Sequence, residues 1–583
     1  MLKLLKNLNK KDWLYVFISA ILIVFQVWLE LKMPDYMSNI TQLVQTKGAA
    51  MGDILREGGY MLLCAFGSLV SAFIVGYFTS NISASFSYRT RGKLFRKVED
   101  ISTYEIKKFS PSSLITRTTN DITQIEFLIA MGLTLMIKAP ITAVWAVTKI
   151  VNKSIEWSIL TGVAVLVLLI TIGIIMIIVM PKFKIVQELL DKVNMVMREN
   201  LTGIRVVRAF NAEEYQEDKF EGINNKLTKQ QIFNQTAFNY LSPIMYLVMY
   251  FLTLGIYFIG AILINDAGMG DKIVLFGNMI VFSSYAMQVI MSFLMLAMIF
   301  MMIPRASVSA KRINEVLDTP ISVKEGTVTE NNSDIKGTVE FKNVSFKYPD
   351  ADEYVLEDIS FKVNKGEVIA FIGSTGSGKS TLINLIPRFY DATSGEILVD
   401  GINVKDYNFE YLNNIVGYVP QKAVMFSGSV LSNITFGKNR HGKPSKERVK
   451  AAIRVSQAEE FVSKEKAHIA QGGTNVSGGQ KQRLSIARTI ARDPEIYIFD
   501  DSFSALDYKT DSTLRSELKK YTKDATVMIV AQRIGTILNA DKIVVLDNGK
   551  CVGIGTHKEL MKKCKVYKEI ALSQVSKEEL ENV

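Results

Sequence analysis

Residues 157–180 read WSILTGVAVLVLLITIGIIMIIVM, a run without one charged side chain. About 20 apolar residues in a helix cross the hydrocarbon core of a bilayer, with backbone N–H and C=O groups bonded inside the segment. By that rule the chain holds about six candidate spans, at 13–32, 58–80, 127–148, 157–180, 241–264 and 273–303. The third is the least regular, because Lys138-Ala139-Pro140 interrupts it. Lys138 reads either as a group lining a substrate path or as a lysine snorkelling at the inner boundary of its helix. The first span is too long for a cleaved signal, and further spans follow it. The preceding MLKLLKNLNKKDW reads as a short amphipathic helix at the membrane interface.

Composition supports this division. Hydrophobic residues make up 48% of a chain that is also 21% charged, and the apolar ones concentrate in the first half. A net charge of +11 fits either nucleic acid or membrane topology. Placement favours topology. Lys3, Lys6, Lys10 and Lys11 precede the first span, and Arg89, Arg91, Lys93, Arg96, Lys97, Lys107 and Lys108 follow the second. Basic residues accumulate on the cytosolic side. No nucleic acid partner is expected, and a soluble ATPase acting on DNA or ribosomes is excluded by the spans. Cys64, Cys551 and Cys564 lie far apart, as do His441, His468 and His557. Neither set has metal-ligand spacing or forms a disulfide framework.

The connections after the second and fourth spans are long and basic, and their mixed apolar and charged residues repeat with a helical period. The helices are therefore expected to run on into the cytosol, turning near 111–113 and 211–213. Helix ends at 111–114 and 211–215 are candidate coupling elements.

After Pro304 the chain turns polar. The expected division is a transmembrane domain at 1–305, a linker at 306–337 rich in turn formers, and an α/β domain at 338–583. The segment EVIAFIGSTGSGKSTLINLI carries a strand, a glycine-rich turn and a helix in the order a P-loop requires. In Gly373-Ser374-Thr375-Gly376-Ser377-Gly378-Lys379-Ser380, followed by Thr381, the glycines let backbone N–H groups turn inward around phosphate oxygens. Lys379 reaches the outer phosphates and the Ser380 hydroxyl can bind Mg²⁺. Further on, IYIFDDS reads as a strand buried on both faces that ends in two carboxylates. Asp500 is the natural Mg²⁺-side group. Asp501 is placed either as a base for the attacking water or as a cap for the turn SFSALD. Ser477-Gly478-Gly479-Gln480 opens another helix, a second anion-ready start without a lysine of its own.

Taken together, residues 339–572 resemble the nucleotide-binding domain of ABC transporters, and the first half resembles the six-helix exporter membrane domain. The expected fold is thus an α-helical membrane domain of six transmembrane helices with long cytosolic extensions, followed by an α/β P-loop ABC ATPase domain. The resemblance implies ATP and Mg²⁺ as cofactors. It makes Tyr348 the ring that stacks on adenine, 373–380 the Walker A loop, and Gln421 in GYVPQ the glutamine near Mg²⁺. VSGGQ then matches the signature, with a mild valine-for-leucine change, IYIFD matches Walker B, and 504–507 matches the D-loop. In this family two such domains face each other, each ATP lying between one P-loop and the other chain's signature, so one chain is half a transporter.

Two positions depart from the family. The catalytic glutamate is replaced by Asp501, and the switch histidine by Gln532 in VAQRIGTI. An aspartate carboxylate sits back by roughly 1.5 Å, one C–C bond, and a misplacement of about 1 Å can cost on the order of 10²-fold in rate. Glutamine can donate an amide hydrogen bond but cannot carry a proton near neutral pH. Both changes strike hydrolysis, while Lys379, Ser380 and Asp500, which serve binding, are intact. The pattern resembles the degenerate-site subunit of heterodimeric bacterial multidrug exporters. It implies a second half-transporter as partner, a multi-pass location in the bacterial cell membrane, and a small lipophilic or amphipathic substrate. A homodimeric lipid or peptide exporter and a nucleotide-gated channel or regulatory subunit are the alternatives. No peptidase-like segment is expected ahead of the first span, which disfavours leader-peptide processing. The methionines and aromatics of 282–302 offer an adaptable cavity or simply face lipid and neighbouring helices.

Overall fold

A computed structural model describes residues 2–574, apart from 47, 49, 152–153, 269–270, 332–333, 439–441 and 463–467, so His441 lies outside the described residues. The chain forms two compact units, Met1–Glu99 with Pro111–Asp318, and Asp100–Ser110 with Thr319–Val583.

The first unit contains six helices long and apolar enough to cross a membrane: Lys10–Gln45, Met51–Asp100, Pro111–Val151, Ile155–Ala209, Glu213–Asp266 and Asp271–Leu317. The second has 50 residues and the fourth 55. At 1.5 Å per residue these are about 75 and 82 Å long, against a hydrocarbon core of about 30 Å. More than half of each therefore lies beyond the bilayer, as the basic amphipathic connections require. Asn211, with φ 49°, turns the chain between Ile155–Ala209 and Glu213–Asn239. A Lys219–Glu199 ion pair at 2.8 Å ties these two helices together. The sixth helix passes Pro304 and continues to Leu317, so the stretch expected to open a linker at 306 is helical at its start.

In the N-terminal stretch Leu2–Leu5 is a short separate helix, and Lys10 to Trp13 already belong to the first span. Asn9 then caps the first span in a capping box with Asp12, satisfying N–H groups that would otherwise be orphaned. Asp12 also receives Arg89 Nη1 at 2.6 Å. The core of this unit gathers Trp157, Phe282, Tyr285 and Val289, all fully buried, with the Trp157 and Phe282 rings 5.2 Å apart. The aromatic residues at the start of 282–302 thus pack on neighbouring helices.

Lys138 does not snorkel. Its Nζ donates to Glu30 Oε1 at 2.8 Å, and the same oxygen accepts from Gln26 and Ser68 at 2.9 and 3.2 Å. A charge between apolar helices costs least when it is paired. A second pair, Lys149–Asp35 at 2.8 Å, is reinforced by the Tyr285 hydroxyl at 2.9 Å. The helix Leu133–Val151 runs through Pro140, and the irregularity falls earlier, in a π-helical turn at Leu128–Gly132.

The second unit is built on a ten-stranded sheet. The strands Val339–Phe346 and Leu356–Val363 pair antiparallel and alternate buried with exposed positions, as a half-exposed layer does. The other half is mainly parallel, ordered Lys542–Asp547, Val368–Gly373, Thr526–Val530, Ile496–Asp500 and Val416–Val419. Every residue of Ile496–Asp500 and of Thr526–Val530 is buried. Segment Asp100–Ser110 belongs to this unit although it lies between the second and third spans in sequence. It contains the short helix Thr103–Lys107, just ahead of the 111–114 stretch proposed for coupling.

Candidate nucleotide site

Parallel strands present their carboxyl ends on one edge, where ligands of open α/β sheets bind. Four neighbouring strands deliver the candidate residues there. Val368–Gly373 leads into the glycine-rich turn, Ile496–Asp500 into the paired aspartates, Val416–Val419 towards Gln421, and Thr526–Val530 towards Gln532.

The turn requires its glycines. A Cβ on Gly373 would lie 2.1 Å from the Leu546 carbonyl oxygen, and one on Gly378, whose φ is +93°, would lie 2.8 Å from the Leu356 side chain. The turn can therefore pack this closely against its neighbouring strands only with glycine there, and its place just ahead of a helix start suits it to receive phosphate. The helix Lys379–Asn384 starts directly after it. Lys379 Nζ donates to the carbonyls of Gly373 and Ser374 at 2.9 and 2.7 Å. Burial pulls the Lys379 pKa down, and the charges of Asp501 and Asp500 push it back.

Ser380 Oγ donates to Asp500 Oδ1 at 2.8 Å, and the Tyr418 hydroxyl donates to Oδ2 at 3.3 Å. Burial raises the Asp500 pKa, opposed by those two hydrogen bonds. Asp501 sits at φ 45°, its N–H bound to the Val530 carbonyl at 3.0 Å. Its Oδ2 accepts from Gln532 Nε2 at 2.9 Å and from Gln421 Nε2 at 3.3 Å. The carboxylate thus faces the two amides. The following turn is held by Ser504 Oγ on the Asp501 carbonyl, at 2.9 Å. Burial raises the Asp501 pKa, while the Gln421 bond and the charges of Lys379 and Arg533 lower it.

Tyr348 places its hydroxyl 3.1 Å from Thr381 Oγ1, in the helix that follows the glycine-rich turn. Its ring meets Tyr390 edge-on at 5.4 Å. Lys107 Nζ lies 5.7 Å from the Tyr348 centroid and 5.6 Å from that of Tyr390.

The structure therefore joins Lys379, Ser380, Gln421, Asp500, Asp501 and Gln532 at one sheet edge, with Tyr348 linked through Thr381. It does not join the Ser-Gly-Gly turn to them: among the described residues no hydrogen bond connects the two. Ser477 instead caps the helix Gly478–Arg492 in a capping box with Gln480. Gly479 packs beside the Ala505 carbonyl, where a Cβ would come within 3.3 Å. Sequence reasoning missed Tyr418, Tyr390 and Lys107. Tyr418 had a signal, standing at the end of a strand three residues before Gln421. Lys107 had none, because it comes from another part of the chain.

These residues fit a Mg²⁺-nucleotide, with a phosphate cradle that only glycine permits beside a hydroxyl–carboxylate pair. Ser380, Asp500 and Gln421 would hold the ion, which would draw charge from the phosphate oxygens.

The model of the ABC transporter family matches residues 356–504, and that of the ABC transporter transmembrane region matches 16–293. An uncharacterized ABC transporter ATP-binding protein of Mycobacterium tuberculosis is 38% identical over 552 residues, 92% of this chain and 93% of that protein. The ATP-dependent lipid A-core flippase of Pseudomonas aeruginosa is 30% identical over 509 residues, 86% of this chain and 82% of its own. In fold, the chain is similar to a bacterial Atm1-family ABC exporter solved with ATP bound. The TM-score is 0.82 with 22% identity, covering 98% of this chain and 100% of the other.

Proposed function

This chain belongs to the ABC transporter family, and on that footing we propose that it is one subunit of a heterodimeric exporter. It is a multi-pass membrane protein with a cytoplasmic ATPase domain, half of an ATP-driven exporter. Its own site grips nucleotide through 373–381 and Tyr348 but hydrolyses it slowly. A partner chain supplies the competent site, completed by Ser477, Gly478, Gly479 and Gln480 of this chain. Closure of the two ATPase domains on ATP turns the cavity outward, and hydrolysis at the partner's site resets it. The cargo is a lipophilic or amphipathic small molecule.

One observation carries this reading. The carboxylate in the catalytic position spends Oδ2 on two amide donors, Gln532 and Gln421. A base must present a lone pair to water at about 2.6–3.2 Å. Here Oδ2 is tied to groups that cannot take a proton onward, which leaves Oδ1 alone, on a shortened side chain, to meet the water. The test is phosphate release by the purified chain alone and with its co-purified partner. Slow turnover alone and brisk turnover in the complex support the reading; brisk turnover by a homodimer counts against it.

The likeness to a lipid A-core flippase favours a second reading, a homodimeric lipid exporter tolerating aspartate and glutamine. Extraction in mild detergent separates the two, since a heterodimer brings down a second chain of similar size.

A further inference from the structure

We propose that the membrane unit holds a binding site for an acidic amphiphile, a small molecule whose apolar body carries one phosphate, sulfonate or carboxylate group, seated against Arg305. The inference rests on the exporter reading and names the class of its cargo.

Four spans line an open cavity of about 680 Å³, within the usual size of small-molecule sites. It lies just past the uncharged run of the fourth span: Phe183 stands three residues after Met180. The rings of Phe127, Phe183 and Phe238 supply an apolar wall, with Phe183 and Phe238 5.9 Å apart. Four carboxamides, Gln124, Gln231, Asn234 and Gln235, supply the polar one. Asn234 is 5% exposed and its Oδ1 accepts from Gln230 Nε2 at 3.5 Å.

Among the described lining residues Arg305 is the one that carries a charge. Its guanidinium stands 5.5 Å from the Phe183 ring centroid, and among the described residues no carboxylate pairs with it. An arginine held over a ring offers a planar fork to an anion and a stacking face to the body attached to it. The amides around it leave that charge uncancelled, because they both donate and accept without a net charge. A cationic ligand would meet like charge there with nothing to offset it.

A second observation is independent of the lining. Each of the four helices carries a break or a proline at this level. The third has its π-helical turn Leu128–Gly132 directly after Phe127. The fourth has Pro181 two residues before Phe183. The fifth breaks at Tyr240, two residues after Phe238, where Pro243 cannot donate to the Asn239 carbonyl. The sixth has Pro304 beside Arg305. Such breaks free carbonyl oxygens and let a helix bend. Two helix breaks and two prolines inside continuous helices thus surround one cavity and give its walls the means to bend around a ligand.

The test is equilibrium binding to the full-length protein in lipid nanodiscs without nucleotide. It uses two fluorescent probes with the same rings: anilinonaphthalene sulfonate, which is anionic, and phenylnaphthylamine, which is neutral. Signal from protein-free nanodiscs is subtracted. The sulfonated probe is expected to bind about tenfold more tightly, the effect of one charge-assisted contact. Arg305→Gln should abolish that preference and Arg305→Lys should keep most of it. Added phosphatidylglycerol that displaces the sulfonated probe assigns the acidic group to a lipid; failure to displace assigns it to a water-soluble compound. Equal binding of both probes, or a preference that survives Arg305→Gln, would overturn the cargo class. The exporter reading would survive that result, because nucleotide is absent from the assay. Conversely, a persisting preference without ATP-driven uptake into vesicles would remove the exporter reading and keep the site.

Discussion

Gln532 donates its side-chain amide to Asp501 at 2.9 Å. The two positions that the sequence reading marks as departures from the family pattern are therefore bonded to each other. Each substitution makes the other more tolerable: the shorter carboxylate is held in place, and the amide has an acceptor. A change at one position should consequently be felt at the other.

Asp501→Glu alone is expected to raise phosphate release by about tenfold or less, and Asp501→Glu with Gln532→His by on the order of 10²-fold. The single change also places a longer side chain at φ 45°, which non-glycine residues adopt reluctantly. Single-turnover hydrolysis on the purified chain measures both. Full recovery from the single change would show that Gln532 is innocent.

Lys379→Ala should abolish nucleotide binding. Ser380→Ala should leave binding measurable but remove most of its dependence on Mg²⁺, since the hydroxyl bonded to Asp500 is lost. Titration of a fluorescent ATP analogue with Mg²⁺ and with EDTA distinguishes the two.

Tyr348→Ala should weaken ATP binding by about three- to tenfold, the size of one aromatic stacking contact. Tyr348→Phe should cost less, because it loses only the contact with Thr381. Comparing ATP with GTP in the same titration tests whether the ring reads the base.

Asp400 is 3% exposed, and burial above all raises its pKa to about 6. The folded state then binds more protons than the unfolded one between about pH 4 and 6, so stability falls as pH rises through that window. Asp400→Asn keeps an acceptor oxygen for the backbone N–H groups of Thr338 and Gly337, which share two in the wild type, and removes the buried charge. It should stabilise the ATPase unit at pH 8 by on the order of 2 kcal/mol, and have little effect at pH 4. Thermal unfolding at the two pH values decides it.

Lys138→Met should destabilise the membrane unit more than Lys138→Met combined with Glu30→Leu. The single change strands a carboxylate among apolar helices, and the double change removes both charges. Melting temperatures in detergent give the order.

The local features were readable in advance. The glycine-rich turn, the doubly buried strand before Asp500 and the uncharged fourth span each carry their signal within about 20 residues. What escaped was carried by distant partners. Lys138 and Glu30 are 108 residues apart in sequence, and a lone lysine in an apolar run does not reveal its counter-ion. Pro304 invited the end of a helix, yet the amphipathic stretch after it kept the helix going to Leu317. Gln532 and Gln421 were both singled out, but no spacing rule says that they share one oxygen of Asp501.

The lysine resting over Tyr348 and Tyr390 comes from the stretch between the second and third spans. Any soluble truncation beginning at 319 would express the sheet and its glycine-rich turn without that lysine. Affinities measured on such a fragment would describe Tyr348 and Tyr390 stripped of the cation that covers them, so enzymology on this protein has to be done with its membrane half attached.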